Sequence, residues 1–239
     1  MHKLEKPDFQ HRSKVRIAST MKEIVFGMED GMVSTLGAIT GIATGSQDHS
    51  IVLLSGFVII AVESISMGIG SYLSNKSEID ISMRTIHEEQ YEIDYFLDEE
   101  REELVEMYTG DGWPPKLAKQ MAEVASQNRD LILKEMAYRE LQIIPESLEN
   151  PWKKGFFMSG AYVLGGAVPL LPYVFSTKLS FALSLSILLT LIGLFLLGVY
   201  TTKYSKRNWL RAGMEMLIFA TLAALIGYAV GAAVNAYQS

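Results

Sequence analysis

Apolar and polar positions alternate in long blocks along this chain. Five blocks reach the length of about 20 residues that a helix needs to cross a bilayer. They run from Ile24 to Gly45, Ile51 to about Leu73, Gly155 to Phe175, Leu179 to Tyr200 and Leu210 to Tyr237. Gly45-Ser-Gln-Asp-His-Ser50 separates the first two as a short turn. The second block continues without a Gly or Pro break into acid-rich sequence, so the pattern predicts a span prolonged as a water-facing helix. Gly165-Gly166, Pro169 and Pro172 interrupt the third block, which is tolerated at membrane depth where neighbours satisfy the backbone. The fourth is uncharged and rich in Leu, a scaffold helix. Small residues recur at Gly27, Gly31, Gly37, Gly41 and Gly45, and again at Gly227 and Gly231, the spacing that lets helix backbones approach closely.

Between the second and third blocks lies a polar insert. Lys76 to Met107 reads as one helix, and Gly110-Asp-Gly-Trp-Pro-Pro115 is a strong turn signal. Pro115 suits the first turn of a second helix running to about Leu141, with a further break near Gln127-Asn128. The predicted fold is an all-α membrane protein: five transmembrane helices with a cytoplasmic helical insert between helices two and three. Its parts are an N-terminal lead (1–23), helices one and two (24–73), the insert (74–152) and helices three to five (153–239). Pro7 argues against one long helix in the lead, which reads as a basic tail at the membrane surface. No internal repeat is evident.

Composition sharpens this picture in three ways. The 239 residues are 49% hydrophobic and carry a formal net charge of −6, with the acids concentrated around 88–106. A nucleic-acid partner is not expected, because phosphate binding needs clustered Lys and Arg. There is no Cys, which removes disulfides and thiolate metal sites, while 4 His and 12 Met remain as nitrogen and sulfur ligands. Basic residues mark one side of the membrane: Lys3, Lys6, Arg12, Lys14, Arg16 and Lys22 in the lead, and Lys203, Lys206 and Arg207 between spans four and five. The positive-inside rule then places the N-terminus and insert in the cytoplasm and the C-terminus outside. The polar start does not read as a signal peptide. The short tails suggest a prokaryotic cell membrane.

The candidate chemistry lies in acids held where lipid is expected. Asp30 and Met67 each lie about six residues, or ~9 Å, inside the same end of their spans. Glu63 is one turn from Met67 on the same face, and Glu215 lies at similar depth in the fifth span. A charge at the bilayer centre costs from about 2.5 to more than 10 kcal/mol. Two readings stand: Asp30, Glu63, Met67 and Glu215 line a cation path, or the acids, with Glu29, sit at headgroup level and snorkel. In the insert, Glu89, Glu92, Glu100 and Glu103 fall on one stripe if the helix is continuous, and Met136 with Glu140 forms an i, i+4 pair on the facing helix. Such a stripe is either stabilised by a bound cation or simply solvated. Oxygen ligands with occasional sulfur suit Mn²⁺ and Fe²⁺. His87 is not placed for the Glu-x-x-His motif of a di-iron oxidase, so no enzyme is expected.

Phe26-Gly-Met-Glu-Asp-Gly-Met-Val-Ser34, Ser66-Met-Gly-Ile-Gly-Ser-Tyr-Leu-Ser74 and the Glu89/Glu92/Glu100/Glu103 spacing together resemble the vacuolar iron transporter family. The resemblance covers nearly the whole chain from Val25 to Tyr237. It implies five spans, a homodimer, a cytoplasmic helical metal-binding domain and proton-coupled export of Fe²⁺ or Mn²⁺. It implies that Asp30 and Met67 line the path, and that Glu89, Glu92, Glu100, Glu103, Met136 and Glu140 gather ions. No permanently bound cofactor is expected, since the metal is cargo. Two positions depart from the family pattern: Ser71 stands where Glu often follows the first Gly, and Ala137 where a second Met is common. Glu63 is expected to compensate for the first. The competing reading is a membrane-anchored metal buffer or sensor, with active insert and inert spans. A third is a lipid- or protein-binding scaffold that docks through the acidic helix.

Overall fold

The computed structural model describes residues 11–143, 149–205 and 207–238. Among them are eight helices and no strand: α1 (His11–Ser46), α2 (His49–Tyr95), α3 (Leu97–Gly110), α4 (Pro115–Ser126), α5 (Arg129–Arg139), α6 (Pro151–Phe175), α7 (Leu179–Ser205) and α8 (Trp209–Gln238). The chain divides into two units, one of Met1–Leu73 with Asn150–Ser239 and one of Ser74–Glu149.

In the first unit α1 is the helix the others surround, packing against α6, α7 and α8. Met32, Thr35, Leu36, Ile39, Thr40 and Ala43 of α1 are buried. Among the described residues, four helices are long and apolar enough to cross a membrane, namely α2, α6, α7 and α8. The predicted first span, inside α1, is not among them. Glu29, Asp30 and its row of small residues lower its hydropathy, and a helix enclosed by protein needs no lipid-facing apolar side chains. Close packing explains the small residues. A Cβ at Gly31 would strike the Tyr162 carbonyl of α6, and one at Gly41 would come within 2.8 Å of the Gly227 carbonyl of α8. Both pairs of backbones therefore touch where a side chain would hold them apart.

Three boundaries differ from expectation. Helix α1 begins at His11, so the basic stretch from there to Lys22 is helical and runs on into the predicted first span. Pro7 lies outside the described residues. Helix α6 runs unbroken through Pro169 and Pro172. Ser186 of α7 donates a 2.7 Å hydrogen bond to the Pro169 carbonyl, one of the neighbouring contacts that serve this proline-containing stretch. Helix α2 ends at Tyr95, and the chain restarts as α3 after Phe96, whose φ of −131° is not helical. The break expected near Gln127-Asn128 separates α4 from α5, and the unexpected one at Phe96 makes the insert four helical pieces.

The second unit has a core of its own: Ile93, Leu104, Tyr108, Ala118, Ala122, Ala125, Ile132 and Met136. Pro115 opens α4, and the Asn128 side chain caps α5 by accepting from the backbone N–H of Asp130 and Leu131 at 3.0 and 3.2 Å. Arg139 ties α5 to the α3 end, donating to Glu135 at 3.0 Å and to Asp111, with its guanidinium 4.4 Å from the Tyr108 ring centre.

Candidate metal centre and membrane carboxylates

The break at Phe96 decides the geometry of the insert. Glu89 and Glu92 belong to α2, and Glu100 and Glu103 to α3, so the single-helix stripe does not exist. The break does something else. It brings carboxylate oxygens of Glu89, Glu100 and Glu140, from three helical segments, within 4.8 Å of one another. Glu89 is 2% exposed and Glu100 6%. Oε1 of Glu89 and Oε2 of Glu100 are buried and have no hydrogen-bond partner among the described residues. Glu140, at the C-terminal cap of α5, is exposed and closes the group. Glu92 and Glu103 are exposed but within electrostatic reach of it.

Buried carboxylates without cations resist ionising. Burial first, then Glu140, Glu100 and Glu92, push the Glu89 carboxyl up to about 8. Burial, then Glu103, Glu92 and Glu140, push Glu100 up to about 7. Glu140 is raised too, by burial and then by Glu103. Without a cation the group therefore retains protons at neutral pH, and a divalent cation would displace them. Converging oxygens with unused lone pairs fit a hard or borderline divalent ion. Met136 is fully buried in the apolar core of the unit, one turn before Glu140 on α5.

In the first unit Glu63 of α2 is an electrostatic neighbour of Asp30 of α1. Glu63 is exposed on α2, Asp30 and Met67 half-buried. The Tyr162 hydroxyl of α6 is fully buried within reach of both carboxylates and 2.7 Å from Ser34 Oγ. Glu215 is exposed and ion-paired at 2.7 Å with Arg207, which precedes α8. The structure thus places Asp30 and Glu63 within electrostatic reach of one another, and Glu215 pairs with Arg207 instead.

A family model described as the VIT family matches residues 21–232. The chain belongs to the VIT family. It is similar to "Vacuolar iron transporter 1" of Tulipa gesneriana, 29% identical over 227 residues, which is 95% of this chain and 92% of that protein. The Arabidopsis thaliana protein of the same name is 28% identical over 215 residues, covering 90% of this chain and 86% of its own. "Vacuolar iron transporter" of Plasmodium berghei is 26% identical over 220 residues, 88% and 81% of the two chains.

Two polar residues of this VIT-family chain escaped the sequence reading. Glu23 is only 8% exposed, and its Oε2 accepts a 2.9 Å hydrogen bond from Ser71. Ser71 thus stands beside a carboxylate supplied by α1. The Glu23–Ser71 and Asp30–Glu63 pairs lie about two turns apart on antiparallel helices, and Met67 falls between them on α2. Linear sequence hid Glu23 among basic residues. Its separation of seven residues from Asp30, which returns a helix to the same face, was the available signal. Tyr162 sits in an apolar run and reads there as core.

Proposed function

We infer that this protein is a transmembrane transporter of divalent transition metal, Fe²⁺ and/or Mn²⁺, working as a proton-coupled exporter from the cytoplasm. The observation that carries this reading is that Asp30 and Glu63, on different helices, are electrostatic neighbours. Two like charges from different helices, at a depth where either alone is costly, gain from a cation passing between them. Membership of the VIT family and the printed names of its relatives support iron as cargo. Met67, one turn from Glu63, adds a soft ligand that suits Fe²⁺ or Mn²⁺ better than Mg²⁺ or Ca²⁺.

In this account α1, α2, α6, α7 and α8 are five spans, with the N-terminus and insert in the cytoplasm and the C-terminus outside. Glu89, Glu100 and Glu140 take up the ion, with Glu92 and Glu103 drawing it in. It then passes Glu23, Met67, Glu63 and Asp30, and protons from the far side release it. A homodimer belongs to the same account: the exposed apolar side chains of α2, Leu54, Phe57, Val58, Val62 and Ile65, form a face that a second copy would cover.

The self-contained core of Ser74–Glu149 favours one other reading, a membrane-anchored metal buffer or sensor. Uptake of Mn²⁺ or Fe²⁺ by proteoliposomes holding the full chain separates the two. Transport predicts accumulation driven by a pH gradient. Metal bound to protein with no accumulation in the lumen would leave only the buffer.

A further inference from the structure

Of the three carboxylates that converge in the insert, Glu140 alone is exposed, and it stands one residue past the end of α5. Helix ends fray, because the last four carbonyls lack partners within the helix. The like charges of Glu103 and Glu92 also press on it. A hydrogen bond joins its carboxyl to Glu89, but that bond ends once both become ligands to one ion. Some other contact must hold this end of α5. Arg139, the last residue of α5, supplies it, with a side chain only 17% exposed. Its Nε donates to Glu135 Oε2 at 3.0 Å, and its Nη1 donates to Asp111, the residue that caps α3. The same Glu135 oxygen accepts from the Tyr108 hydroxyl of α3, also at 3.0 Å, and the guanidinium lies over the Tyr108 ring. The carbonyl of Met136, in the same buried core as Tyr108, accepts from the Glu140 N–H at 2.8 Å. The last turn of α5 is thus fastened to the helix that carries Glu100. At the other end of α5, Arg129 makes a two-pronged pair with Asp94 of α2, 2.6 Å at each prong. That pair is exposed, and exposed pairs contribute little.

We propose that Arg139 is the positioning residue of the insert's ion site, holding Glu140 beside Glu89 and Glu100 by bracing α5 against α3. The assignment rests on the uptake role given above to those three carboxylates. Arg139 acts through Glu140 and does not meet the ion. With Glu140 already in place, an arriving divalent ion need not order it, so binding is tighter. The brace engages two acids and a ring at once, a set that the planar guanidinium fork reaches and a lysine does not. The shielded contact at Arg139, rather than the exposed one at Arg129, sets where Glu140 stands.

The test is calorimetric titration with Mn²⁺ of the full chain in detergent, carrying Asp30→Asn and Glu63→Gln so that the insert alone is read. Into this starting chain go Glu89→Gln, Glu140→Gln, Arg139→Gln, Arg129→Gln, and Arg139→Gln together with Glu140→Gln. Arg139→Gln should raise Kd about ten-fold. Arg129→Gln should leave it within about two-fold. Added to Glu140→Gln, the Arg139 change should shift Kd less than about two-fold, whereas a merely structural arginine would weaken both backgrounds equally. The proposal is overturned by a Kd for Arg139→Gln within about two-fold of the starting chain, by equal losses in both backgrounds, or by an equal loss from Arg129→Gln. If Arg139→Gln does not elute as a single species on size exclusion, Asp111→Ala takes its place. That change should raise Kd about three-fold, and an unchanged Kd overturns the proposal. Binding weakened by Glu89→Gln beside a normal Arg139→Gln defeats this assignment alone. A Glu89→Gln chain that binds as tightly as the starting chain defeats the uptake reading and this one together.

Discussion

Replacing Glu89 by Gln should stabilise the metal-free insert at pH 8 and leave it unchanged at pH 4. Glu89 is 2% exposed, has one unpartnered oxygen and holds its proton up to about 8, against an ordinary 4.5. The folded value lies above the unfolded one, so the fold favours the protonated form. That stability is fully present below pH 4.5 and is lost as pH rises through about 8. Ionising such a group in the folded protein costs about 5 kcal/mol more than in the unfolded chain. Glu100 and Glu140 belong to the same group of oxygens, so removing one charge relieves part of a shared strain, and about 2 kcal/mol at pH 8 is the expected gain. The assay is amide hydrogen exchange by mass spectrometry on the full chain in detergent with chelator, reading 97–110 and 129–139 after correction for intrinsic rates. Excess Mn²⁺ should raise protection in wild type and do so far less in Glu89→Gln. Lower protection of the variant at pH 8, or a wild type equally protected at pH 4 and pH 8, would refute the reasoning.

Other expectations concern packing and the path. Arg139→Met removes the contacts to Glu135, Asp111 and the Tyr108 ring, and should cost the insert about 2 kcal/mol in the same exchange measurement. Gly227→Leu places a side chain against the Gly37 carbonyl and should destabilise the membrane unit by about 3 kcal/mol or more, read as a lowered melting temperature in detergent. Ser71→Ala leaves the buried Glu23 carboxylate without its hydroxyl and should cost about 1 kcal/mol, lowering that same melting temperature.

The sequence was most legible where one physical effect dominated. Apolar runs marked α6, α7 and α8, and the break expected near Gln127-Asn128 is where α4 gives way to α5. Expectation failed where effects competed. No Gly or Pro marks the break at Phe96; the only trace is Asp98, Glu99 and Glu100 crowding the first turn of α3, where a helix N-terminus favours acids. Pro169 and Pro172 looked like breakers, yet neighbouring packing holds α6 intact. In the insert the one-stripe argument rested on a continuous helix that does not exist. The carboxylates converge through a bend and a third segment, which periodicity along one helix cannot foresee. Glu23 and Tyr162 stayed hidden because their significance lies in partners on other helices, Ser71 and Ser34.

The account turns on whether metal crosses between Asp30 and Glu63. Proteoliposomes with an acidic lumen should accumulate Mn²⁺ with the wild-type chain. The paired change Asp30→Asn, Glu63→Gln should abolish that flux while metal binding at Glu89, Glu100 and Glu140 persists. Flux undiminished by the paired change would contradict the path, whatever the insert binds.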